Sequence, residues 1–430
     1  MLEAAIRSSP AEEVFISQVS RARFSAIVAV TMLVLILAAA DRHIFAVVLP
    51  HIKTDLGLSD SALGLLSSLP FALCFGLFSI PTAWLGDARF GRTRVVAASL
   101  AIWSLMTALC GAAVGLWSLF ALRMGVGAGE AGGQPSSLSI VTELAPASWR
   151  RRIMAICTLG IAAGGAFGIA FSGWAAQNFG WRMTFAIMGA PGIAVAMLYL
   201  FIVQEPRKTG SAHPPAGNFL SEIKALFASR SFVMLFIGSG FVTWLSGSVH
   251  AWLPTYLVRG YGVSLTEIGG VLATITLISG LAGLLTFSWI ADRLALRDSR
   301  WPFWICAILS TGAVALFVGV LFASDKLTVY ILTTAMLFLS SGNAPLMGVA
   351  AQDALPRLKA TGLAAMAVGA SLIGALAPWA IGAISDLFKG LGDYQSLRMG
   401  LLTIGPIAIL ATFAFLDAAR SLDQPAATAH

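Results

Sequence analysis

The stretch Trp84-Leu85-Gly86-Asp87-Ala88-Arg89-Phe90-Gly91-Arg92 recurs 205 residues downstream as Trp289-Ile290-Ala291-Asp292, with Arg297 following. A second set of matches keeps the same offset: Gly57, Ser59, Ser61 and Gly64 align with Gly262, Ser264, Thr266 and Gly269. The matched positions include Asp, Arg and Trp, which weakens chance similarity between two apolar runs as an explanation. The matches bracket the second and the eighth apolar segments of the chain, so the repeating unit is half the chain. Duplicated halves of this kind mark secondary transporters, whose substrate site lies at the repeat interface. A channel or a membrane enzyme has no need of that symmetry.

Composition agrees with this reading. Of 430 residues, 58% are hydrophobic and 11% charged, against about 25% charged in an ordinary soluble domain. Mean hydropathy is +0.85. So little charge cannot cover the surface of a water-soluble fold. A bilayer core about 30 Å thick is crossed by about 20 apolar helical residues. Twelve such segments can be marked, at about 24–50, 60–85, 93–114, 116–142, 153–178, 181–203, 231–257, 265–290, 301–323, 327–352, 361–387 and 399–418. The expected fold is an all-α membrane protein, with twelve transmembrane helices in two pseudo-symmetric six-helix bundles. Its parts are a lead over 1–23, a first bundle over 24–203, a linker over 204–230 ending in an amphipathic helix, a second bundle over 231–420 and a tail over 421–430. Residues 1–23 mix Glu3, Glu12 and Glu13 with Arg7, Arg21 and Arg23 and show no A-x-A cleavage pattern. They read as a cytoplasmic lead-in and not as a secretory signal.

Orientation follows from the excess of Lys and Arg on cytoplasmic loops. With the N-terminus inside, the inner segments carry 19 Lys and Arg against 12 acids, the outer segments six against six, and the membrane interior two against two. The net charge of +7 therefore resides on the inner face. Both termini are expected in the cytoplasm, with the chain a multi-pass protein of the cell (inner) membrane. The basic balance is topology, so nucleic acid is not an expected partner.

Three further motifs carry a resemblance. Gly86-Asp87-Ala88-Arg89-Phe90-Gly91-Arg92-Thr93-Arg94 resembles the loop between spans two and three of the major facilitator superfamily, with one extra residue between Asp87 and Gly91. Arg123-x-x-x-Gly127-x-Gly129 matches that family's fourth-span motif, and Gly160, Gly164, Gly165 and Gly168 resemble its glycine-rich fifth span. Arg123 through Glu130-Ala131, Glu205-Pro206, Asp41-Arg42 and Trp252-Leu253-Pro254 ahead of Ser264-Leu265-Thr266-Glu267 look like the Spinster branch. The resemblance implies a carrier of lysolipids or sphingolipids. Glu130 after a fourth-span Arg is shared with organic-anion carriers of the same superfamily.

Asp41, Arg42, Arg123 and Glu130 are the ionisable residues other than His that fall well inside the expected spans. Each charge at mid-membrane costs about 2.5–3.5 kcal/mol on insertion scales, so such residues mark function. At 1.5 Å of rise per residue, Asp41 lies about 13 Å and Arg123 about 10 Å from the outer ends of their spans. At a shared depth the two can pair across the first and fourth helices. Glu130 lies two turns deeper than Arg123 on the same helical face. These four are the expected proton-coupling residues: protons load Asp41 and Glu130, and Arg123 exchanges partners between them.

The second half has no acid or base at mid-span. Its polar inventory supplies an expected substrate cavity of Trp244, His250, Trp252 and Asn343, with His43 from the first half. The resemblance further implies that Asp87 and Asp292, with Arg92, Arg297, Arg150 and Arg151, brace the inner face as a gate. The four-residue spacing of Gly160, Gly164 and Gly168 permits close helix contact. Cys74, Cys110, Cys157 and Cys306 have no CxxC spacing, so no metal site is expected. No cofactor fingerprint, HExxH or phosphate-binding GxxxxGK[ST] occurs, so neither an enzyme nor an ATP-driven pump is expected. The function expected is proton-coupled transport of an amphipathic lipid-like substrate by a monomer. The alternative is a small organic anion or a drug.

Overall fold

The computed structural model describes residues 20–146, 148–205, 224, 226–295, 297–298, 300–343, 346–347, 350 and 359–421. Every element among them is helical. In chain order they are α1 (Arg21–Leu56), α2 (Asp60–Leu85), α3 (Arg92–Cys110), α4 (Leu116–Leu144), α5 (Arg150–Ile202), α6 (Arg230–Tyr261), α7 (Leu265–Ala295), α8 (Trp301–Phe322), α9 (Lys326–Ser341), α10 (Lys359–Leu387), α11 (Asp393–Leu402) and α12 (Ile404–Ser421).

Among the described residues, nine helical stretches are long and apolar enough to cross a membrane. The expected spans outnumber them for physical reasons. The 53 residues of α5 would extend about 80 Å if straight, more than twice a bilayer core. At Gly180 the backbone leaves helical geometry (φ 78°, ψ 166°) and α5 divides into two spans. A positive φ there suits glycine, which has no Cβ to clash. In α4, Arg123, Glu130 and Glu143 sit among glycines and serines and dilute its hydropathy. Helix α9 is apolar but only 16 residues long; α11 and α12 run together as one apolar stretch over Asp393–Ser421.

The junction Gly86–Phe90 is a single π-helical turn. Such a turn takes up an extra residue inside an otherwise α-helical run. It falls on the additional residue between Asp87 and Gly91. Gly91 then reverses the chain at φ 86° before α3 begins.

Two compact units emerge from the packing, residues 1–44 with 73–211 and residues 45–72 with 212–430. Residues 45–72, the far end of α1 and the first half of α2, therefore pack with the second unit. In the first unit, α3 packs on both α4 and α5, with buried Trp103 seated against Gly129 and Gly133 of α4. Helices α1 and α5 approach at matched four-residue intervals. A Cβ built on Gly160 would lie 2.7 Å from Met32 Sδ, one on Gly164 2.7 Å from Ile36 Cα, and one on Gly168 2.5 Å from Ala40 Cα. In the second unit α6 packs on α10 and α12, and α8 on α9 and α12. A core of Phe232, Phe287, Phe303, Leu346 and Phe415 fills the space between them.

Candidate functional site

The four intramembrane charges gather in the first unit. Arg42 binds Glu130 through Nε at 3.0 Å and Nη2 at 2.8 Å, both to Oε2. The same Nη2 donates to Gln134 Oε1 at 2.8 Å. Glu130 is fully buried, whereas the Arg42 side chain is 35% exposed, so the pair has one end in the protein interior and one open to the surroundings. The Arg42 guanidinium also lies 5.6 Å from the centroid of the Phe75 ring. Asp41 turns away: its Oδ1 accepts from Thr107 Oγ1 of α3 at 2.6 Å. Arg123, itself buried, lies within electrostatic reach of both acids.

Helical geometry explains the division. Successive residues on a helix are rotated by about 100°, so Asp41 and Arg42 cannot serve the same neighbour. Asp41 faces α3 and Arg42 faces α4, where Glu130 and Gln134 are one turn apart. Arg123 lies within electrostatic reach of Asp41, and the ion pair on Glu130 comes from Arg42. Buried Asp41 Oδ2 and Glu130 Oε1 accept no hydrogen bond among the described residues. Acceptors left over in this way are the places where a proton can be added without breaking an existing bond.

His43 lies beside the same layer, its Nε2 3.1 Å from where a Cβ on Gly165 would stand. The other expected cavity residues fall in the second unit. His250 Nδ1 is 2.7 Å from Ser246 O, one turn back on α6. Trp252 is fully buried and donates its indole N–H to Pro378 O at 3.0 Å, tying α6 to α10. Buried Asn343 accepts from Ser310 at 3.5 Å and donates to Ser340 O at 3.4 Å. Trp244 is half-buried, and its carbonyl accepts from Ser248.

The expected gate residues divide. The side chains of Asp87 and Arg151 lie outside the described residues, as do residues 206–223 and 225, which hold most of the expected linker helix. Arg92 donates from Nη1 to Ser139 Oγ at 2.8 Å and from Nη2 to Glu143 Oε2 at 2.6 Å, both on α4. Its backbone N–H and that of Thr93 bind the Glu205 carboxylate at 2.9 and 2.8 Å. An anion at these first two N–H groups satisfies otherwise unpaired donors and complements the helix dipole of α3. Gly91 makes room for it: a Cβ there would lie 2.8 Å from Glu205 Oε2. Arg150 reaches Ala145 O at 3.4 Å, and Asp292 and Arg297 are exposed.

A second polar cluster, which sequence reasoning missed, is built on Asp60 in the second unit. Arg259 grips it with two bonds, Nη1 to Oδ2 at 2.8 Å and Nη2 to Oδ1 at 2.7 Å. Lys53 adds an ion pair at 2.9 Å and Ser385 a hydrogen bond at 2.7 Å. Asp386 accepts from the backbone N–H groups of Asp60 and Ser61 at 3.1 and 2.9 Å, capping α2. The seam beneath has no room for side chains at Gly64 and Gly382, which abut the backbones of Pro378 and Asp60. The signal present in the sequence was the matched Gly57-to-Gly64 segment, which contains Asp60.

The Major Facilitator Superfamily model matches residues 31–378. An MFS-type efflux pump of Mycolicibacterium smegmatis is 30% identical over 91% of this chain and 91% of its own. The sphingosine-1-phosphate transporter SPNS2 of Danio rerio is 27% identical over 89% of this chain and 84% of its own. Among solved structures, a bacterial homologue of the human lysosomal transporter Spinster, in an inward-facing and unoccupied conformation, superposes with a TM-score of 0.84. That superposition covers 94% of this chain and 98% of the homologue at 23% identity, and it bears on the fold alone.

Proposed function

The chain belongs to the Major Facilitator Superfamily, within its Spinster branch, and on that premise we propose that it is a proton-coupled secondary transporter of lysolipid-like or sphingolipid-like substrates. It is a transporter and not an enzyme. The observation that carries the coupling is the buried Glu130 held by a half-open Arg42, one turn from Gln134 and beside Asp41.

In this reading a proton arriving on Glu130 cancels the charge that holds Arg42. Arg42 then relaxes toward Gln134, and Arg123, in reach of both acids, takes the partner that remains charged. A substrate with an anionic or zwitterionic head engages the freed guanidinium while its chain lies along apolar helix faces. The halves over 24–203 and 231–420 act as two six-helix bundles that rock about the site, with both termini in the cytoplasm. Asp60 and Arg259 latch the outer end, and the Arg92–Glu143 and Glu205 contacts organise the inner end. The chain works as a monomer in the cell's inner membrane.

A second reading, export of a small organic anion or drug, draws support from the efflux pump 30% identical to this chain. One assay separates the two. Purified protein in liposomes, with and without an imposed proton gradient, is offered lysolipids, sphingoid phosphates, organic acids and cationic dyes. Gradient-dependent uptake confined to the lipid classes is the expected result. Flux indifferent to the gradient overturns the coupling, and flux restricted to acids or dyes overturns the substrate class.

A further inference from the structure

A groove of about 370 Å³ lies in the first unit, where α2, the π-helical turn, α3 and the Ala128–Gly129 stretch of α4 meet. Its volume is in the range that takes one drug-sized or single-chain ligand. The walls are apolar: Leu85, Phe90, Val95, Ala98, Ile102 and Ala128. Phe90 and Ile102 are about half exposed, at 49% and 50%. Arg94, Ala98 and Ile102 recur every four residues on α3 and are all exposed, so the groove opens along the flank of the unit.

One wall residue is charged. Arg94 stands at the end of the groove nearest the loop before α3, and it pairs with no carboxylate among the described residues. Its neighbour Arg92 is already committed to Ser139 and Glu143. A second guanidinium, that of Arg89, lies 5.5 Å from the ring of Phe90, itself a wall of the groove. One cation therefore lines an apolar slot, and a second stands against the ring of one of its walls. This arrangement complements a molecule with an anionic head and a hydrocarbon tail. Basic pockets between membrane helices on the cytoplasmic side recruit anionic head groups in this way. Guanidinium is suited to phosphate because its fork of donors matches two phosphate oxygens.

We propose that this groove is a binding site for an anionic phospholipid of the bilayer, with the phosphate on Arg94, supported by Arg89, and an acyl chain along Val95, Ala98 and Ile102. The bound lipid is a resident and not the cargo: it lies on the flank of the first unit and fills the slot that the π-helical turn leaves between α2 and α3. Such a lipid would couple the composition of the cytoplasmic leaflet to the position of the loop that carries Asp87 to Arg92.

Native mass spectrometry of the full chain tests this, with the protein transferred from nanodiscs containing equal phosphatidylglycerol and phosphatidylcholine. Wild type should retain phosphatidylglycerol in preference to phosphatidylcholine by about tenfold, because the choline cation cancels the head-group charge that the guanidinium attracts. Arg94→Ala should erase that preference, Arg94→Lys should keep part of it, and Ala98→Trp should lower retention of both lipids. Equal retention of the two lipids by wild type, or an unchanged preference in Arg94→Ala, overturns the proposal. Because Arg94→Ala removes a surface side chain, its thermal unfolding should match wild type and verify the fold. Asp41→Asn with Glu130→Gln should leave lipid retention unchanged, so failure of the transport reading and failure of this one give different results.

Discussion

At the scale of single residues, Arg42 and Glu130 set an asymmetry that substitution can expose. Arg42→Ala leaves a wholly buried carboxylate without its donor, a loss of about 1–3 kcal/mol for an unsatisfied buried group. Glu130→Gln keeps an oxygen for Arg42 and should destabilise far less. Thermal unfolding in detergent should therefore rank Arg42→Ala below Glu130→Gln, with both below wild type; the reverse order would contradict the pairing. Flux should respond differently, because Asp41→Asn and Glu130→Gln each remove a titrating group. Both are expected to abolish stimulation by a proton gradient, and full retention of that stimulation would remove them from the coupling step. The four charges were legible in the sequence because a charge within an apolar run stands out whatever its partner. Which charge meets which was not legible. Helix rotation decides it, and a one-residue difference between Asp41 and Arg42 swings the side chain from α3 to α4.

At the scale of elements, α3 is held at its start by Glu205, three residues past the end of α5. Loss of a helix cap costs about 0.5–2 kcal/mol, so Glu205→Ala should lower the unfolding temperature measurably. Gly91→Ala should lower it further, since it adds a Cβ at positive φ and crowds the Glu205 carboxylate. Equal stability of both variants with wild type would exclude the cap as a structural tie. The α1–α5 contact is equally specific. Gly164→Leu would force Ile36 backbone aside, and it should impair folding far more than Leu substituted at exposed Ala163 on the same helix. Glycine spacing on α5 announced that contact in the sequence. Glu205 was visible only as part of a Glu-Pro motif, since its partners are N–H groups 112 and 113 residues away, and backbone donors leave no mark on composition.

At the scale of the whole molecule, the Asp60 cluster joins the ends of α1, α2, α6 and α10 and the start of α11 within the second unit. Asp60 and Arg259 are 199 positions apart in sequence, and both read as ordinary outer-loop charge until the fold brings them together. Removing one partner of a buried ion pair costs about 3–5 kcal/mol, and about 5.5 kcal/mol suffices to invert a two-state population from 1:99 to 99:1. Asp60→Asn should therefore lengthen the distance between spin labels at Leu58 and Leu391 in much of the population. An unchanged distance distribution would mean that the cluster only braces the fold. The helical, apolar character of the described residues was legible because apolar length is a property of the linear string. The grouping of residues 45–72 with the later helices was not, since it belongs to the conformation adopted. The Glu205 clasp has a consequence for how the chain could be divided. Glu205 follows the end of α5 by three residues and is sewn back onto the start of α3, so the first half carries its own seam at its end. A chain cut downstream of Glu205 keeps the start of α3 clasped, whereas a cut upstream of Glu205 should leave the first fragment unravelled at α3.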